Sequence, residues 1–468
     1  MTEDRARRES SAALLLLLGA LGFAIVARGA FFETAHQVLG ALVVAAGVVL
    51  LLNERGRSAA VKALIITTPL FVASLISTLL ANDRSDAAST FVAIGLVAIA
   101  IAIGASVTEK RHNLAIDALI ALSLIAAVTA IIGVAAHGVP WGRITGNVWR
   151  GSSSITYSNA AASVIGPAML ISTWRAMRND SRWQACTTSL LLVGFASTQS
   201  RGGAIALLIA GVVFTVHVGV RQTVRAVLPI TAGAAVGVVP LLGFASADVE
   251  ARPAIVLILV AVGLVVTSVV WPIRTRIARP ELPALAIAVV ALIFLATTSL
   301  GNRLTLRSAT TAGGPDAEVL FGDRGNEWLT AWARFTDRPI AGHGPGNIEL
   351  IWTEDGRTFE ALFVHNEYLE WLVTHGVIGA LALVASALLA WRILRFDRRN
   401  GVLGVAVLAF LIQSGVDFCG TFPLCRPTSH SSLDCGRTDP RRLFGNRLAH
   451  LSQYLRSDKD HIFAPQWT

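Results

Sequence analysis

The sequence predicts an all-α polytopic membrane protein of about 13 transmembrane helices with one large extracytoplasmic loop, and three observations predict it. Of 468 residues, 54% are hydrophobic and 15% charged, where a soluble domain carries about 25% charged residues. The apolar residues gather into stretches near the roughly 20 residues that a spanning helix needs. The Lys and Arg residues alternate from one connecting segment to the next, as membrane insertion requires.

The stretches run over 11–27, 37–53, 61–80, 90–107, 113–136, 159–177, 183–199, 203–219, 226–245, 253–271, 283–300, 374–391 and 401–418. The first follows Arg5, Arg7 and Arg8 as a signal peptide would, but it lacks a small-residue cleavage site and further spans follow, so it is an uncleaved first helix. With the N-terminus in the cytoplasm, the inside segments hold 20 cations, from Arg5, Arg7 and Arg8 to Arg392, Arg395, Arg398 and Arg399. The short outside segments hold 6: Arg28, Arg84, Arg143, Arg150, Arg201 and Arg252. The formal charge of +9 is therefore largely an insertion signal and not the footprint of a nucleic-acid binder.

Four parts follow: 1–300 with helices 1–11, an extracytoplasmic loop 301–373, 374–418 with helices 12 and 13, and a polar tail 419–468. The loop is punctuated at Ala312-Gly313-Gly314-Pro315-Asp316 and at Gly342-His343-Gly344-Pro345-Gly346-Asn347. Between them, Glu327 to Phe335 carries apolar residues at helical spacing. This is the one extracytoplasmic piece large enough to build a site, and connections of this length usually have a function. The tail holds Cys419, Cys425 and Cys435 but no metal-ligand spacing; with Cys186 in a span, the cysteines are incidental. The pairs Asp83/Asp86 and Asp248/Glu250 could hold a divalent ion, but their spacing is weakly specific. Neither a phosphate-cradling glycine loop nor a nucleotide fingerprint lies on the cytoplasmic side, which argues against a soluble nucleotide donor.

Cations outside run against the insertion bias. Arg201, in Thr198-Gln199-Ser200-Arg201-Gly202-Gly203, places a guanidinium at the outer surface between glycines that let a ligand approach; its bland alternative is a turn residue snorkelling to lipid phosphates. His365 opens Val364-His365-Asn366-Glu367-Tyr368-Leu369-Glu370-Trp371 just before a span. It is either a general base, suited by its titration near neutrality, or a polar cap. His343 and His375 share that ambiguity. Arg324 stands ahead of the aromatic helix, and its plain reading is a surface ion pair with Asp323 or Glu327.

Together these motifs resemble a known family. His365-Asn366, nine further residues, then Gly376-Val377-Ile378-Gly379 is similar to the signature of O-antigen ligases and the related O-antigen polymerases and protein O-oligosaccharyltransferases. Arg324, Trp328 and Trp332 leading to Arg338-Pro339-Ile340-Ala341-Gly342-His343 resemble the segment before that histidine. Ser200-Arg201-Gly202-Gly203 is similar to the family's Ser-Arg-Gly element, and Thr156-Tyr157-Ser158-Asn159-Ala160 to an earlier helix start. The resemblance covers roughly 60 to 418.

That resemblance implies a GT-C-like helical bundle in the cytoplasmic membrane with its site on the extracytoplasmic side. It implies metal-independent, inverting transfer of a glycan from a polyprenyl-pyrophosphate donor to a sugar, lipid or protein hydroxyl, without a cofactor. His365 would be the base and Arg201 and Arg324 the pyrophosphate clamp, with Asn366, Gly376 and Gly379 in support. The family carries one more span after the loop than this chain, which turns polar after Phe418; the abrupt change favours a reading-frame divergence near residue 419 over a genuine extension. The competing readings are a transporter or lipid-linked glycan flippase, against which stand few ionisable residues and no pair of broken helices, and a membrane scaffold.

Overall fold

The computed structural model describes residues 2–276, 324–394 and 401–415, apart from 83, 85, 86, 146, 349, 355, 356, 362 and 363. The expected span 283–300, Asp83, Asp86, the punctuation at 312–316, the three tail cysteines and the tail itself lie outside the described residues.

The first described stretch holds ten α-helices: α1 (Thr2–Val26), α2 (Glu33–Leu51), α3 (Glu54–Leu80), α4 (Ala87–Ser106), α5 (Glu109–Ala135), α6 (Ser158–Arg178), α7 (Arg182–Thr198), α8 (Arg201–Val218), α9 (Val220–Gly243) and α10 (Pro253–Val270). A hairpin of β1 (Gly142–Thr145) and β2 (Val148–Gly151) stands between α5 and α6. Later come α11 (Arg324–Asp337), a hairpin of β3 (Leu350–Glu354) and β4 (Arg357–Ala361), α12 (Glu367–Leu394) and α13 (Gly401–Ser414). Two short antiparallel hairpins stand among the helices of the described residues.

Among the described residues eight helices are long and apolar enough to cross a membrane: α2, α3, α4, α5, α8, α9, α10 with its 3-10 continuation to Thr275, and α12. Ser11–Val26 and α13 are shorter apolar helices. The chain is a multi-pass membrane protein. The helices α6 and α7 fall outside that set: α7 has only 17 residues, and both mix apolar side chains with many small and hydroxylated ones. Ala161, Ala162 and Ile165 of α6 pack against Ala126 and Ala127 of α5 and Leu191 and Phe195 of α7. A Cβ on Gly194 would come within 2.4 Å of Ala127, so close approach of backbones replaces bulk, as is usual between membrane helices.

Several connecting segments contact one another at the helix ends. The β1–β2 hairpin meets the α9–α10 connection, where Trp149 N–H donates to Ala245 O at 2.7 Å and Ala247 N–H to Asn147 O at 3.0 Å. The same hairpin reaches the α7–α8 turn, where the Gln199 side chain donates to Trp149 O at 2.9 Å. Elsewhere Arg175 pairs with Asp117, and Arg274 reaches Asp180 while its guanidinium lies 3.7 Å from the Trp271 ring centroid. Segments assigned to one side by the sequence thus share contacts with one another.

Candidate active site

The helix α11 forms because Trp328, Ala331 and Phe335 recur at helical spacing on one side. That side packs on Ile348, Leu350, Val364 and Val373 in a small core of its own. Beyond α11 the chain turns sharply through Gly342, Gly344 and Gly346, all at positive φ. The turn is then threaded into a break in α12. His343 N–H donates to Val373 O and Gly344 N–H to Thr374 O, both at 2.9 Å, and Val377 N–H returns to Pro339 O at 2.8 Å. The Ser77 hydroxyl of α3 is 2.6 Å from both Ala341 O and Thr374 O, tying the break to a neighbouring span.

At the break stands Gly376, with φ 62° and ψ −160°, a conformation essentially reserved for glycine. A Cβ there would lie 2.3 Å from Ile340 O. Interruption by Gly376 frees backbone groups of α12, and the incoming turn satisfies them. Gly379, one turn on, would put a Cβ 2.3 Å from the His375 Cβ and 2.7 Å from Trp371 Nε1. Its missing side chain makes room for the Trp371 and His375 rings, which stack with centroids 3.8 Å apart. His375 is 2% exposed and both its nitrogens are used, by Thr374 Oγ1 at 2.7 Å and Ser74 Oγ at 3.0 Å. It is a structural histidine. So is His343, buried at the turn with Nε2 2.7 Å from Arg334 O; burial pushes its pKa below the usual histidine value.

His365 stands apart. It lies at the mouth of α12, with its side chain 29% exposed, against a Glu327 side chain 6% exposed from the first turn of α11. The two meet twice: His365 N–H donates to Glu327 Oε1 at 2.5 Å, and His365 Nδ1 lies 2.9 Å from Glu327 Oε2. An ionised carboxylate can only accept, so Nδ1 carries the proton in the neutral ring and Nε2 is the basic nitrogen. Asn366 is the N-cap of α12, its Oδ1 accepting from Leu369 N–H at 3.0 Å. The Glu327 carboxylate is buried and turned to His365. Arg324 is the first residue of α11, and its side chain lies outside the described residues.

Arg201 is exposed at the first position of α8, whose N-cap Ser200 accepts from Gly203 N–H at 3.1 Å. Nearby, Arg150 donates to Thr198 O at 3.0 Å and to Asn159 Oδ1 at 2.9 Å, joining β2 to the end of α7 and the start of α6. The Arg201 and His365 elements are linked through the end of α13. There Gln413 donates to Asn159 O at 2.6 Å and Leu411 O accepts from the Tyr368 hydroxyl at 2.7 Å. The structure joins His365 directly to Glu327 and connects the turn before Arg201 to the start of α12 only through intervening contacts. Asp248 accepts from Asn147 and Ser246, and among the described residues no three His, Cys, Asp or Glu side chains gather as a metal cluster.

Sequence reasoning passed over Glu327 as a site residue. Its signal was available: an acidic residue in the first turn of the aromatic helix, where the helix dipole favours it.

A bundle of apolar helices with a carboxylate-held histidine at the start of one of them defines a class of multi-pass membrane protein. Residues 250–384, which include α10, α11, Glu327, His365 and the Gly376 break, match the family model described as O-antigen ligase. Through that stretch, less than half of the chain, the sequence is similar to the O-antigen ligase family. No curated protein matches the chain.

Proposed function

We propose that this protein transfers a glycan from a polyprenyl-pyrophosphate donor to an acceptor hydroxyl at the outer face of the cytoplasmic membrane, in the building of cell-surface polysaccharide. The observation that carries the reading is the Glu327–His365 pair inside the stretch that matches the O-antigen ligase family. A glycosyl pyrophosphate already carries its leaving group. Such a donor needs a base for the incoming hydroxyl and positive charge for the departing phosphates.

His365 Nε2 takes the proton of the acceptor hydroxyl as that oxygen bonds to the anomeric carbon. The bond from that carbon to the pyrophosphate oxygen breaks, the electron pair leaving with the pyrophosphate. Attack opposite the leaving group inverts the anomeric centre. Glu327 holds the ring and offsets the charge of the imidazolium that results. Arg201 and Arg324 receive the pyrophosphate, since guanidinium forks match phosphate oxygens, so fixed cations occupy the role that a metal plays elsewhere. Asn366 caps the helix behind the base, and Gly376 and Gly379 shape its supporting break.

Gene deletion followed by analysis of lipid-linked glycans tests this reading. Transfer predicts lipid-linked glycan accumulating on the outer face: single units if the protein polymerises, long chains if it ligates them to another acceptor. Accumulation on the inner face would overturn it in favour of flipping.

A further inference from the structure

The segment that carries the base is gripped by a second carboxylate. Val364 is 0% exposed, so its amide N–H must find an acceptor inside the protein. That acceptor is Glu370 Oε2, at 3.0 Å, from a side chain that is itself buried at 8% exposed. The next amide, that of His365, goes to Glu327 Oε1 at 2.5 Å. Two buried carboxylates, one from α11 and one from α12, thus hold two consecutive amides on either side of the Val364 Cα.

This is more than helix capping. Asn366 already caps α12 through Leu369 N–H. In a capping box the acidic residue is the third of the helix and returns to the cap's own amide. Glu370 is the fourth residue of α12 and reaches past both Asn366 and His365 to Val364. Its effect is to fix the residue before the base, while Glu327 holds the amide of the Val364–His365 peptide itself.

Resting on the base assignment above, we propose that Glu370 is a positioning residue for the transfer reaction: it holds the Val364 amide so that His365 stays seated on Glu327 with Nε2 aimed at the acceptor hydroxyl. A base displaced by a fraction of an ångström loses rate while the donor still binds. The role needs an acceptor atom rather than a charge.

The test compares Glu370→Gln, which keeps an acceptor oxygen, with Glu370→Leu, which removes it and leaves the Val364 amide buried without a partner. Transfer is measured in membranes with a lipid-linked glycan donor, alongside wild type and His365→Ala. Glu370→Leu is expected to lower kcat by about ten- to a hundredfold with little change in donor KM, and Glu370→Gln to restore kcat to within a few-fold of wild type. Donor binding by each purified variant, with its elution as a single species in detergent, reports folding. Glu370→Leu that folds, binds donor and turns over like wild type overturns the proposal. So does a Glu370→Gln variant as slow as Glu370→Leu, which would mean that the charge, not the acceptor, is needed. Full activity in His365→Ala would instead overturn the base assignment beneath it, so the two failures are told apart.

Discussion

Glu327 and His365 stand 38 residues apart in the chain and are joined by two hydrogen bonds, one to the backbone amide and one to the ring. A carboxylate that takes both fixes where the imidazole sits and which nitrogen bears its proton. Glu327→Gln retains an acceptor for the amide but surrenders the negative charge facing the imidazolium. We expect kcat to fall by about ten- to a hundredfold with donor KM nearly unchanged, and Glu327→Ala to fall further. A steady-state comparison of the two variants checks this.

Arg201 is expected to act on the donor instead. It is exposed at the start of α8, where a phosphate meets both the guanidinium and the helix N-terminus. Arg201→Ala should lower kcat/KM for the lipid-linked donor by about ten- to a hundredfold, the worth of a charge-assisted bond. Arg201→Lys should recover only part, because a single ammonium cannot reproduce the fork. Donor titrations of the three forms measure it.

The break in α12 makes a stability prediction. Gly376→Ala places a methyl group 2.3 Å from Ile340 O in a backbone conformation that side chains avoid. The strain alone costs about 1–3 kcal/mol, before the turn at 339–344 is displaced. Thermal unfolding in detergent should show a clear loss, with Gly404→Ala, where a Cβ meets nothing within 4 Å, as the mild control.

His343 gives a pH dependence. Burial lowers its pKa first, with the Arg334 carbonyl opposing and the Arg334 and Arg338 charges assisting. In the unfolded chain the imidazole titrates near 6.5. Below that value the unfolded state holds more protons than the folded one, so this contribution to stability rises with pH. It is complete above about pH 6.5 and is lost as pH falls through the folded value. Unfolding temperatures from pH 7.5 down to 5 should fall more steeply for wild type than for His343→Gln, which can still donate to Arg334 O but does not titrate.

Much of the fold was legible because the bilayer imposes a simple code of apolar length and cation alternation. Apolar length alone marks the eight helices able to cross a membrane among the described residues. What escaped was non-local. The run from Arg338 to Gly346 shows its turns plainly, but nothing local says that it inserts into α12 at Gly376, thirty or more residues later. Gly376 and Gly379 were visible as spaced glycines; only the approach of Ile340 and the stacked Trp371 explains why no side chain fits. Nothing local tied Glu327 to His365, which lies beyond the β3–β4 hairpin in the chain. The modest hydropathy of α6 and α7 reflects partners on all sides, which composition cannot express.

The most direct test of the central claim is transfer by His365→Ala in membranes supplied with a polyprenyl-pyrophosphate glycan and its acceptor, with protein level and donor binding measured in the same preparation. The account predicts normal amounts of protein, donor binding close to wild type and glycan transfer reduced by about a hundredfold or more, the share a general base contributes. Transfer undiminished in that variant would contradict it.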